Sequence, residues 1–181
     1  MSIPKREHAT NNEQTYFVTS DTWTRRRFFF DQRWAELFID TLMFYRTAYL
    51  LHEFVAMPDH FHVLISPLIS LERAVQYIKG GFSRRAKVEL GSNLTVWQKG
   101  FSDHRIRDAA DYDRHVHYIW LNAAKQHLVQ LAEEYPYSSA SKRWQLDPVP
   151  QRLKPQSLAA SAARLEAVPF QSKPKTAGNK E

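Results

Sequence analysis

Two apolar runs, LHEFVAM at 51–57 and HFHVLIS at 60–66, are separated only by Pro58-Asp59. Proline fixes φ and aspartate suits turn backbone, so the pair predicts a tight β-hairpin. Phe54 and Val55 before and Val63, Leu64 and Ile65 after flank His60-Phe61-His62, which places that strand in the core of a sheet. Around this hairpin the remaining segments alternate. TYFVTS at 15–20 is β-branched and aromatic and predicts a strand. Asp31 caps a predicted helix through about Arg46, whose apolar stripe is Trp34, Leu37, Phe38, Leu42 and Tyr45. Ser70 opens a second, with Leu71, Val75, Ile78, Phe82 and Ala86 on one face, interrupted at Gly80-Gly81 and ended by Gly91. Segments 95–101 and 104–108 are extended or loop, and a third helix covers about 109–128. The order strand, helix, hairpin, helix, strand, helix predicts an α+β fold with helices packed on an antiparallel sheet.

The chain has 181 residues and suffices for one domain of about 1–145. Prolines 148, 150, 155, 169 and 174 and a polar end predict a flexible tail at 146–181, with one short helix at 157–167. No apolar run is long enough to span a bilayer, and the first residues carry no secretory pattern. The absence of cysteine excludes disulfides, thiolate metal sites and cysteine nucleophiles, and suits a cytoplasmic location. A net charge of +6 and a pI near 9.6 favour a polyanionic partner. Eight Lys and Arg against three acidic residues lie between Glu72 and Arg107, and Arg25-Arg26-Arg27 directly precede three phenylalanines.

His60-Phe61-His62 gives the hairpin its chemistry. On a strand both imidazoles face one way and Phe61 the other, so two neutral rings can share one metal ion. The alternative is a pair of hydrogen-bonded structural histidines. The same pattern recurs at His115-Val116-His117, but in a predicted helix, where i and i+2 diverge by about 200° and do not chelate one ion. In that helix His115, Tyr118 and Asn122 share a face beside the apolar stripe Tyr112, Val116, Ile119 and Ala123. Tyr118 at the edge of a packed interface reads either as a nucleophile or as a core tyrosine with its hydroxyl at the boundary.

Four segments in order, MPDHFHVLI, VWQKGFSDHRIRD, YDRHVHYIWLNAAKQHLV and EEYPYSSA, resemble the single-tyrosine HUH transposases (IS200-like), within them the REP-associated tyrosine transposase branch. The resemblance spans about 14–144. It implies a ferredoxin-like antiparallel sheet with the HUH histidines on a central strand. It also implies a divalent ion, Mg2+ or Mn2+, held by His60, His62 and Asn122, and a nucleophile at Tyr118. The substrates it implies are single-stranded DNA or DNA hairpins such as repetitive extragenic palindromes, cut and rejoined through a 5′-phosphotyrosine. Relatives act as monomers or as homodimers that exchange the tyrosine helix. The family commonly shows Asn-Pro-Val-Lys where this chain has Asn122-Ala123-Ala124-Lys125, and losing the proline lets the helix run on by a turn.

A phenol ordinarily ionises near pH 10, so it needs help to act as a nucleophile. The metal is one source; His115, as general base or hydrogen-bond partner, is another, against a solvated helical histidine. DNA contacts are expected from Arg25, Arg26, Arg27, Arg84, Arg85, Lys87, Arg105 and Arg107. Trp97 could stack on a base, or be core. Two other readings compete: a DNA-binding protein of the same fold that does not cut, and a metal-dependent hydrolase of small substrates. The second predicts more acidic residues near the HxH than Glu53 and Asp59.

Overall fold

The computed structural model describes residues 14–153. The segments at 1–12 and 157–167 lie outside the described residues. Four strands, β1 (Tyr16–Asp21), β2 (Tyr49–Met57), β3 (His60–Pro67) and β4 (Ser102–Arg105), form one antiparallel sheet in the order β2-β3-β1-β4. Helix α1 (Gln32–Phe44) carries the chain from β1 over β3 to β2, and α2 (Leu71–Glu89) carries it from β3 over β1 to β4. That interleaved order is the ferredoxin-like one, and β3 is central, as expected. A third helix, α3 (Ala109–Lys125), follows β4.

Strand alternation divides the core in two. Val18, Phe61, Val63 and Ile65 pack with α1 and α2 on one face. Val55, Met57 and Leu64 pack with Tyr112, Val116, Ile119 and Ala123 of α3 on the other. Phe61 therefore lies in the α1–α2 core, while its neighbours His60 and His62 belong to the α3 side.

Side-chain caps fix where each helix begins: Asp31 accepts from the Arg33 amide, Ser70 from Arg73 and Asp108 from Asp111. The expected interruption at Gly80-Gly81 is absent. α2 runs unbroken from Leu71 to Glu89, because burial of Ala74, Val75, Ile78 and Phe82 outweighs the weak helix propensity of two glycines. Gly81 is required for a different reason, since a Cβ there would run into the Tyr45 ring. Gly91 follows the helix with φ +65°, the left-handed stop that glycine tolerates. α3 continues three residues past Asn122 and stops where His127 turns to φ 56°.

The outer edge of β2 is covered. Ala56 N–H donates to the Tyr137 carbonyl at 2.9 Å, and Phe54 N–H donates to Ser139 Oγ at 3.1 Å. Asp147 exchanges bonds with Leu51, accepting from its amide at 2.8 Å, and pairs with Arg46 at 2.6 Å. Composition assigned residues 146–153 to the flexible tail, yet they hold to the sheet, and Leu153 is buried in the α3-side core. Proline spacing marks an irregular backbone here, not an unpacked one. Among the described residues, no helix is long and apolar enough to cross a membrane.

Candidate active site

His60 and His62 open β3 directly after the Pro58-Asp59 turn. Both side chains are buried, at 5% and 4% exposure, and their rings lie 4.8 Å apart. Each is oriented through Nδ1. His60 Nδ1 bonds Asp59 Oδ1 at 2.7 Å, and since an ionised carboxylate only accepts, the imidazole donates and leaves Nε2 as a lone-pair donor. His62 Nδ1 meets the Thr19 hydroxyl at 2.7 Å, across the register that pairs Thr19 with His62. Burial, then the neighbouring His60 and Arg25, push the His62 pKa down to about 3, so the ring is neutral near pH 7, as a ligand requires.

Tyr118 stands beside this pair. Its ring meets the His62 ring edge-on at 5.1 Å and Phe17 at 5.7 Å, while the side chain is 44% exposed. A core tyrosine would not be so open, and its apolar neighbours Tyr112, Val116 and Ile119 are buried as the helical stripe predicts. Asn122, one turn on, is 5% exposed.

Two buried atoms here have no hydrogen-bond partner: His62 Nε2 and Asn122 Oδ1. Buried polar atoms are rarely left unpaired, and these are respectively an imidazole nitrogen and an amide oxygen, both suited to a divalent cation. His60 is held by its Nδ1 in the same way as His62, so the two imidazoles and the amide are of donor types that suit a divalent ion. Carboxylate and hydroxyl partners behind imidazole rings are a usual feature of metal sites.

Asp59 and Thr19 were not singled out as functional from sequence. An acidic residue directly before an HxH is a readable signal; Thr19 is not, because it is set by strand register. Glu53 accepts from Trp120 Nε1 at 2.8 Å, and burial raises its pKa; it ties α3 to β2.

His115, expected as a general base, is engaged through Nδ1 and its ring face. Its Nδ1 donates to the Asp111 carbonyl at 2.8 Å, and its ring stacks on His104 at 4.7 Å and 21°. His104, Asp111 and His115 bring ligand-type atoms within 4.8 Å of one another. A metal is nonetheless a poor fit, because imidazole lone pairs lie in the ring plane and two near-parallel rings do not aim them at one point. Asp111 is also already engaged by His104 at 2.9 Å, Arg107 N–H at 3.1 Å and Arg114 at 3.0 Å. This cluster clamps β4 to the start of α3. His117 points elsewhere, to the Asp113 carbonyl, so the second HxH does not chelate.

The expected DNA contacts separate into groups. Arg25 is held by Asp21 and, at 3.0 Å, by Asp59, so it supports the His60 orienter. Arg26 and Arg27 are exposed. Arg105 and Arg107 flank the buried Ile106 and, with Arg152, line a cleft of about 520 Å³. Arg84, Arg85 and Lys87 sit on α2, across the sheet from the histidines, and Arg85 is bound to Glu89 and Thr41. Trp97 is only 9% exposed and ringed by Phe29, Phe38, Phe61 and Phe82, so the expected base-stacking role does not fit it.

The family model "Transposase IS200 like" matches residues 13–122, ending on Asn122. A Haemophilus influenzae protein assigned as a REP-associated tyrosine transposase is 32% identical over 95 residues, which cover 46% of this chain and 54% of the relative. A REP-associated tyrosine transposase of Escherichia coli is 39% identical over 44 residues, 24% of this chain and 27% of the relative. The chain thus spans about half or less of the length of the curated relatives it matches. A REP-associated tyrosine transposase solved bound to a REP hairpin shares the fold, with a TM-score of 0.64 over 87% of this chain and 96% of that one, at 22% identity. The ordered motifs, the ferredoxin-like sheet and the match from residue 13 to 122 together make this chain a member of the IS200-like transposase family.

Proposed function

We propose that the protein is a metal-dependent single-stranded DNA endonuclease and strand transferase acting on DNA hairpins, with Tyr118 as nucleophile. The observation that carries the reading is the pair of unpartnered buried donors, His62 Nε2 and Asn122 Oδ1, beside the half-exposed Tyr118 ring. His60, His62 and Asn122 would hold a Mg2+ or Mn2+ ion, which when bound neutralises phosphate charge and polarises phosphorus. Asp59 and Thr19 hold the two imidazoles in position, and His62 stays neutral. Tyr118, reachable from solvent, releases its phenolic proton to water. Its Oη forms a bond to phosphorus as the bond from phosphorus to the 3′-oxygen breaks, and that oxygen takes a proton. The product is a 5′-phosphotyrosine with a free 3′-hydroxyl. Reversal with another strand's 3′-hydroxyl rejoins DNA without ATP. Arg26, Arg27 and the Arg105–Arg107–Arg152 cleft offer cations to the phosphates. A chain without cysteine suits work on DNA in a reducing cytoplasm.

The test uses labelled single-stranded hairpin DNA from the genomic flanks of the coding sequence, with Mn2+ or EDTA. A covalent protein–DNA adduct that requires both metal and Tyr118, absent in Tyr118→Phe, is the expected result. Tight binding without an adduct would favour the non-cutting DNA binder, and the absence of both binding and adduct would refute the nuclease reading and favour the small-substrate hydrolase.

A further inference from the structure

The segment from Thr22 to Phe30 joins β1 to α1 and is pinned against the residues that precede His60. Thr22 is fully buried; its amide and hydroxyl both donate to the Asp59 carbonyl at 2.9 Å, and the hydroxyl also lies 2.7 Å from the Arg26 carbonyl. Phe29 N–H donates to Pro58 O at 3.0 Å, Trp23 N–H donates to Val96 O at 2.8 Å, and Phe28 and Phe29 are sunk in the core. Between these anchors Thr24 and Arg25 both adopt left-handed backbone, φ 54° and 55°, a conformation that a β-branched threonine resists. Arg25 stabilises it through Asp21 and Asp59. Such over-determined strain clusters at sites where a chain must present groups in a set position.

What this rigid loop presents is aromatic and cationic. Trp23 is 45% exposed and Phe30 71% exposed, with Arg26 and Arg27 between them. The Arg27 guanidinium lies 4.7 Å from the Phe30 ring centre. Large apolar side chains held outward on a fixed backbone, when a core lies directly beneath, are unexplained by packing. Exposed rings interleaved with guanidinium groups are how proteins grip unpaired bases, each base having a face to stack and a phosphate to neutralise.

Resting on the reading of the site as a DNA-cleaving one, we propose that Trp23 and Phe30 form a stacking platform for unpaired bases of the single strand beside the scissile phosphate. A duplex stem does not fit this role, because its bases offer no free faces.

Binding in EDTA isolates the platform from cleavage. Two probes are needed: a DNA hairpin with a single-stranded flank, and the same hairpin trimmed blunt. Trp23→Ala and Phe30→Ala are each expected to weaken flanked-hairpin binding about five- to a hundredfold and leave blunt-hairpin binding unchanged. Trp23→Phe should retain most of the affinity, while Trp23→Leu and Phe30→Leu, which keep apolar bulk, should lose it. The slope of affinity against salt should not change, whereas Arg27→Ala should reduce it. Equal weakening on both probes, or none, in variants that melt with the wild type overturns the platform. If wild-type protein still forms the Tyr118 adduct in that case, only the platform fails. If the wild type binds neither probe, the platform and the nuclease reading fail together.

Discussion

Each histidine of the HUH motif depends on one hydrogen-bond partner, and the two partners come from different places in the chain. Asp59 is adjacent to His60 in sequence, while Thr19 reaches His62 from 43 residues away. Removing the carboxylate leaves His60 without a fixed tautomer or orientation. Asp59→Asn is therefore expected to weaken Mn2+ binding about 10- to 100-fold by titration calorimetry. Had Asp59 served only the turn, metal affinity would hold. At this scale the sequence was legible where chemistry and position coincide: His60, His62, Tyr118 and Asn122 all lie on the α3 side of the sheet. The orienting Thr19, the burial of Trp97 and the stacking of His115 on His104 were not legible, because strand register and three-dimensional packing set them.

The elements themselves followed from periodicity and punctuation, with one instructive exception in α2. Gly80 has nothing within 4 Å of where a Cβ would stand, so Gly80→Ala should stabilise the protein by about 0.5–1 kcal/mol, read as a raised Tm. Gly81→Ala should give no such gain, because the new methyl must displace Tyr45 from its stack on Tyr77. A periodicity argument treats the two glycines alike, and only the tertiary neighbour separates them.

The joint between β4 and α3 makes a pH prediction. Burial works to raise the Asp111 pKa, but bonds from His104, the Arg107 amide and Arg114 overcome it and bring it down to about 2. The unfolded carboxylate takes up its proton near pH 4, the folded one near pH 2. The stabilisation is complete above about pH 4 and is lost as pH falls from there toward 2. Asp111→Asn should cost about 1–2 kcal/mol at pH 7 and flatten that acid limb in denaturant titrations.

Across the whole molecule, the sheet's architecture was expected and its closure was not. The segment from Tyr135 to Asp147 seals the outer edge of β2, and Asp147 supplies an acceptor for Leu51 from 96 residues away. Pairings at such separation leave no local trace, and a proline-rich composition argues the wrong way. Asp147→Ala should cost about 1–3 kcal/mol and raise light scattering on heating, since it strips the partner from an edge amide and removes the carboxylate that pairs with Arg46. A truly loose tail would give no change in either measurement.

The sheet also keeps two apolar cores apart, one under α1 and α2 and one under α3. His60, His62 and Tyr118 lie on the side of the sheet that carries the second. Substitutions more than about 7–10 Å apart tend to act independently, so positions of the α1–α2 half remote from Phe61, Phe28 and Phe29 can accumulate or repair sequence change while the reacting groups hold still. For a lineage, that half is a reserve of tolerance: damage near the tyrosine helix can be offset from the far side of the sheet.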